Sequence, residues 1–332
     1  SFLSNDKEII ENLCKQIGRP ISQCPGEMKG FEERANYMIE NADRALEDII
    51  SKKDKEFDNY VKKEPLGTIF VIAPWNYPFN TSVNSIVPSL LSGNTVILKH
   101  SSQTPLCAEQ LFDAANKASL PKNIFQFLHL DHSSTSRVIS DSRINHVLFT
   151  GSVSGGKEVK KSIGTRFIGA GLELGGKDPA YVRSDCNLEH AIENLVDGSY
   201  FNSGQSCCGI ERIYIDEKVY DKFIDGFKSV TENYILGNPL EENTNLGPVV
   251  RMNAAKFIRS QVLEAVNNGA KNIIDSNIFK ADDGLNCYVS PSALIDVNHS
   301  MEFMQEETFG PTVGIMKVKN EKEAINLMND SA

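Results

Sequence analysis

Gly67-Thr-Ile-Phe-Val-Ile-Ala73-Pro-Trp-Asn-Tyr-Pro78 is the stretch that decides the fold class. Ile69 to Ala73 are all apolar, show no polar alternation and are stopped by Pro74. A strand-length run of this kind is buried on both faces, which is the texture of a parallel sheet. Similar runs recur at Thr95–Leu98, Ile124–Leu128 and His146–Phe149, and helix-like stretches separate them near Thr81–Leu91, Pro105–Ala118, Ser134–Ile139 and Gly156–Ser162. Strands alternating with helices predict an α/β fold with helices on both faces of the sheet. Ligands of such sheets bind beyond the carboxyl ends of the strands, and the segment Pro74–Pro78 falls at one of those ends.

Upstream of this stretch, Ile9, Leu13 and Ile17 recur at helical spacing until Gly18, Pro20, Pro25 and Gly26 interrupt them, and a second helical pattern runs from Gly30 to Ile50. The charge-rich residues 51–64 read as an exposed hairpin or edge. Downstream, alternation resumes after Glu173 with a strand at Ala180–Val182, a helix over Leu188–Tyr200, a loop at Asn202–Gly209 and a strand at Arg212–Ile215. This places a domain boundary at residues 172–175. A length of 332 residues also calls for two cores rather than one. Residues Glu321–Ala332 read as a helix that stops without a cap, and both ends of the chain read as cut from a longer polypeptide.

A hydrophobic content of 40% with 23% charged residues is that of a soluble globular protein. The net charge of −10 repels phosphate backbones and disfavours nucleic acid as a partner. No apolar run has the roughly 20 residues of a membrane helix. Seven scattered cysteines, an odd number, point to reduced thiols in a cytoplasm-like compartment rather than to a disulfide framework.

Several motifs carry chemistry. Gly151-Ser-Val-Ser-Gly155-Gly156-Lys157 follows a strand and opens a helix, as a phosphate-binding turn or a plain tight turn would. It has the spacing of part of a P-loop, but Glu158 stands where that motif needs Ser or Thr for magnesium. Asn202-Ser-Gly-Gln-Ser-Cys207-Cys208-Gly209 presents two adjacent thiols in small, polar surroundings, which suits an accessible nucleophile, although no histidine lies nearby in sequence. Neither this pair nor His129-Leu-Asp131-His132 has convincing metal-site spacing, so no metal is expected. Glu173, before Gly175 and Gly176, reads either as a solvated strand end or as a base with a raised pKa. The side-chain amide of Asn76 is placed to donate to a developing oxyanion, or else simply satisfies a proline-rich turn.

Taken together, these segments resemble the aldehyde dehydrogenase family. The resemblance rests on Ala73-Pro-Trp-Asn-Tyr-Pro78, Leu98-Lys-His-Ser-Ser-Gln-Thr-Pro105, Phe149-Thr-Gly-Ser152, Leu172-Glu-Leu-Gly-Gly-Lys177, Gly204-Gln-Ser-Cys207 and Glu306-Glu-Thr-Phe-Gly-Pro311, all in the family's order. It implies a Rossmann-like cofactor-binding domain over residues 1–172, short at its start, and an α/β catalytic domain from 173 to 332 that continues beyond the chain. Residues 47–65 match the intersubunit arm, which implies a homodimer or homotetramer. The family pattern makes Cys207 the nucleophile, Asn76 the oxyanion amide and Glu173 the general base. It puts Trp75, Lys99, Ser102, Gly151, Ser152, Leu174, Glu307 and Phe309 at the cofactor, NADP or NAD. Members restricted to NAD usually carry glutamate where this chain has Ser102, and Phe201 stands where relatives selective for succinic semialdehyde commonly carry arginine. The rival expectations are a P-loop phosphotransferase and a catalytically silent member of the family.

Overall fold

The helical spacing at the start of the chain becomes α1 (Asp6–Ile17) and α2 (Pro25–Leu46) in the computed structural model, which describes residues 6–53 and 56–331. Pro25 does not interrupt the second helix but begins it, since a proline in the first helical turn sacrifices no intrahelical hydrogen bond. The charged stretch is a hairpin, with β1 (Ile49–Lys53) antiparallel to β2 (Asp58–Val61). Asp54 and Lys55, like Ala332, lie outside the described residues.

The apolar runs then form β3 (Thr68–Ile72), β4 (Thr95–Lys99), β5 (Phe125–Phe127) and β6 (His146–Thr150), and β7 (Gly169–Glu173) joins them. Between them lie α3 (Pro78–Leu91), α4 (Pro105–Lys117), α5 (His132–Ser140) and α6 (Val153–Ile163). The sheet order is β5-β4-β3-β6-β7 and every pairing is parallel. From β3 the chain runs outward to β4 and β5 and then crosses back to β6 on the other side of β3, so the strand order reverses beside β3, which the segment Ala73–Pro78 follows. Phe70, Ile72 and Val147 pack with Ile139, Val159 and Ile163 from α5 and α6 in one core. Both of these helices start earlier than apolar spacing indicates, because a polar residue caps each: Asp131 Oδ1 accepts from Ser134 N at 2.7 Å and Ser152 Oγ from Gly155 N at 3.2 Å.

A second sheet has the order β10-β11-β12-β9-β8, parallel except for β10. Its elements are β8 (Asp178–Val182), α7 (Leu188–Tyr200), β9 (Ile210–Asp216), α8 (Tyr220–Glu232), α9 (Met252–Asn267), β10 (Lys271–Asn272), β11 (Ser292–Ile295), α10 (Glu302–Gln305), β12 (Thr312–Val318) and α11 (Glu321–Met328). Helix α11 is shorter than its sequence suggests and does have a terminal cap, with Asn329 N–H donating to the Ile325 and Leu327 carbonyls. The chain divides into two units after Leu174, and Leu13–Cys24 belongs with the later one. Among the described residues no helix is long and apolar enough to cross a membrane.

Candidate active site

In the first unit the candidate residues gather where the strands of the parallel sheet end. Trp75 and Asn76 follow β3 in the turn that opens α3, and Asn76 is buried at 4% exposure. Lys99 is the last residue of β4 and is 8% exposed. Burial lowers its pKa, and no acidic side chain pairs with it among the described residues. Ser102 lies three residues on and is exposed. Gly151 and Ser152 join β6 to α6, while Glu173, exposed, and Leu174 close β7.

The glycines of the 151–157 turn have a packing reason. A Cβ on Gly151 or Gly155 would come within 2.7 or 2.6 Å of the Phe149 ring, and one on Gly156 within 2.7 Å of Leu174 Cδ2. Glu158, in the P-loop magnesium position, instead lies 3.6 Å from Lys161 on the exposed helix surface. His129 and Asp131 also have local partners. His129 Nε2 meets Glu109 Oε1 at 2.9 Å, and Asp131 is the α5 cap already described.

In the second unit, the loop after α7 is held from several sides. Arg19, 1% exposed, donates to Asn202 Oδ1 at 3.1 Å, and Asn202 N donates to Gln23 Oε1. Ser203 Oγ donates to the Gly247 carbonyl, and Gln205 Oε1 accepts from Val250 N. This clamp fixes Asn202 and Ser203 at φ 53° and 57°, a left-handed conformation costly for residues with a Cβ. Gly204 follows at φ 68°, so close to the Gly310 carbonyl that a side chain has no room. At the end of this rigid loop Cys207 and Cys208 are exposed.

The two thiols ionise as a pair. Hydrogen bonds from the Cys207 thiol and the Ser206 hydroxyl hold Cys208 down at about 5. The same bond to Cys208, together with burial, pushes Cys207 up. Ionisation of the pair is thus biased toward Cys208 and away from Cys207.

Glu307 and Phe309 lie between α10 and β12. Gly176 N–H donates to Glu307 Oε1 at 3.3 Å, and a Cβ at Gly175 would displace that carboxylate. Burial, reinforced by the charge of Glu211, raises the Glu307 pKa to about 7. Glu211 is the residue that sequence reasoning missed. Buried on β9 at 3% exposure, it accepts from the main-chain N–H groups of Thr308 and Phe309 and from Lys177 Nζ. These bonds hold Phe309 at φ 55°. Burial lowers the pKa of Lys177, while the Glu211 carboxylate opposes that shift. The only sequence signal was an acidic residue inside a strand whose other members are mostly apolar.

The family model for the aldehyde dehydrogenase family matches residues 2–332. The chain is 31% identical to a 3-sulfolactaldehyde dehydrogenase of Priestia megaterium, covering 99% of this chain and 69% of that protein. It is 30% identical to the NAD(P)+ succinate semialdehyde dehydrogenase Sad of Escherichia coli, over 99% of this chain and 70% of the relative. The structure of a succinic semialdehyde dehydrogenase from Streptococcus pyogenes in complex with NADP+ superposes with a TM-score of 0.93 at 26% identity, covering 99% of this chain and 71% of that one. These likenesses leave no support for the phosphotransferase alternative. Sequence, fold and the residues at the strand ends agree: the chain belongs to the aldehyde dehydrogenase family.

Proposed function

We propose that this protein oxidises an aldehyde to its carboxylic acid with NADP+ or NAD+ through a thioester on Cys207. The observation that carries this reading is the clamped 202–209 loop, which presents the free, exposed thiols of Cys207 and Cys208 at its end. Cys207 reacts as its thiolate, its thiol proton passing to solvent. The Cys207 sulfur then bonds to the aldehyde carbon, and the carbonyl electron pair moves to oxygen. The Asn76 amide and the Cys207 main-chain N–H are the donors assigned to that oxyanion. A bound nicotinamide supplies the hydride acceptor as the carbonyl re-forms. Glu173 takes a proton from the water that attacks the thioester, and the acid leaves with Cys207 returned to its thiolate.

The residues present fit such a cofactor. Lys99 is a buried ammonium with no acidic partner among the described residues, and a 2′-phosphate would supply that charge. Ser102 adds a hydroxyl where a carboxylate would repel phosphate. Glu307 is assigned to ribose hydroxyls, Gly151 and Ser152 at the start of α6 to the pyrophosphate, and Trp75, Leu174 and Phe309 to its flanks. The expected substrate is a small uncharged aldehyde, since Phe201 offers no cation to a distal carboxylate. The exposed hairpin 47–65 supports assembly with further copies of this chain, as a homodimer or homotetramer. The exposed free thiols at Cys186, Cys207 and Cys208 support a reducing, cytoplasmic setting.

Cys207→Ala should abolish NAD(P)H formation with aldehyde while leaving NADP+ affinity within about threefold, and Cys208→Ala should keep most of the activity. The reverse pattern in a steady-state assay would move the nucleophile to Cys208. Activity surviving in both variants would remove covalent catalysis altogether.

A further inference from the structure

Two buried ionisable residues that the mechanism leaves unused, Glu27 and His100, both bond the turn that carries Asn76. Glu27 sits in the first turn of α2 at 2% exposure, and its Oε1 accepts from Phe79 N at 2.9 Å and from Asn80 N at 2.8 Å. These are early N–H groups of α3, whose own N-cap residue, Tyr77, provides no side-chain cap. The carboxylate thus caps α3 from a residue 52 positions away. The contact is tight along α2. A Cβ on Gly30 would meet the Asn80 amide at 2.8 Å, and Arg34 Nη1 donates to the Asn80 carbonyl at 3.2 Å.

His100 holds the same turn from the sheet side. It follows Lys99 and is 1% exposed. Its Nδ1 accepts from Ser101 N at 3.1 Å, so Nε2 carries the proton and donates to the Pro78 carbonyl at 3.2 Å. Thr104 Oγ1 also lies 2.9 Å from Nδ1. Burial lowers the ring's pKa to about 4, which keeps it neutral beside Lys99 at any working pH. One imidazole therefore ties the segment 99–104, which carries Lys99 and Ser102, to the turn 75–78.

We infer that Glu27 and His100 are positioning residues for the oxyanion amide: they fix the turn 75–80 so that Asn76 is held in place before substrate arrives. The inference rests on the role proposed for Asn76. Pre-placed donors matter because an oxyanion donor is worth about 10²–10³ in rate only if it need not reorganise.

The test uses p-nitrophenyl acetate without cofactor. Thiolate attack on this ester releases p-nitrophenolate and leaves an acetyl thioester, so the burst rate reports acylation alone. Glu27→Ala and His100→Leu are each expected to slow the burst about tenfold, and Asn76→Ala about a hundredfold. In the Asn76→Ala background, adding either change should cost less than twofold, because the residue acts through a side chain already removed. NADP+ affinity, read by fluorescence titration, should stay within threefold for Glu27→Ala. Where an Ala or Leu variant does not fold, Glu27→Gln keeps the volume and one acceptor oxygen and should slow the burst about threefold, again only when Asn76 is present. An equal loss with and without Asn76, or no loss in any variant, would overturn the inference. An undiminished burst in Asn76→Ala alone would instead remove the role proposed for Asn76.

Discussion

Lys99 and Ser102 are the single residues on which the proposed cofactor choice turns. A buried ammonium without an anion is a cost to the fold, which a 2′-phosphate bound beside Lys99 would offset. Charge-assisted hydrogen bonds contribute about 1.5–3 kcal/mol, or roughly one to two decades in affinity. Ser102→Glu should therefore weaken NADP+ use by tenfold or more while leaving NAD+ use within a few-fold, as kcat/KM for the two cofactors would reveal. An unchanged cofactor ratio, in an enzyme that also ignores NADP+ as wild type, would mean that position 102 does not meet the ribose.

Among the elements, the short segment from Glu306 to Pro311 is held from within the sheet by Glu211. Its ends run into α10 and β12, and Glu307 is the group it presents. With a pKa near 7, Glu307 loses its charge as pH falls, and a protonated carboxyl is a poorer acceptor for ribose hydroxyls. NADP+ affinity should therefore drop as pH falls from 8 to 6, by up to about tenfold. Fluorescence titration at the two pH values tests this, and Glu307→Gln should flatten the dependence. A wild-type affinity that does not change with pH would contradict it.

The same segment shows what the sequence made legible. Glu307 and Phe309 sit in a contiguous motif and could be singled out, whereas Glu211 acts on partners 97 and 98 residues away and could not. The strands β3, β4 and β6 were readable because their runs are apolar and polar alternation is absent, and in β3 and β4 most of these residues are buried. The starts of α3, α5 and α6 were misplaced by two or three residues, because capping residues and prolines, not apolar spacing, set them. Arg19 and Gln23, which clamp the cysteine loop, stand nearly 200 residues before it, and no local pattern reveals that they return to the later unit.

For the molecule as a whole, the hairpin poses the main physical question. Ile50 is 67% exposed, Tyr60 57% and Val61 58%, and an isolated two-stranded hairpin is marginal in water. Burial against a second copy, as proposed above, would resolve both problems. Sedimentation should show a species at least twice the mass of one chain, and Ile50→Lys with Tyr60→Lys should shift it toward the monomer. A wild-type monomer at micromolar concentration would contradict this. Of the residues proposed for catalysis, Asn76 and Glu173 belong to the first unit and Cys207 to the second. The most direct test of the chemistry is the intact mass of Glu173→Gln mixed with aldehyde and NADP+. The account predicts a burst of NADPH near one equivalent, slow turnover, and an acyl adduct that peptide mapping places on Cys207. Burst and steady rate falling together, with no adduct or with one on Cys208, would contradict it.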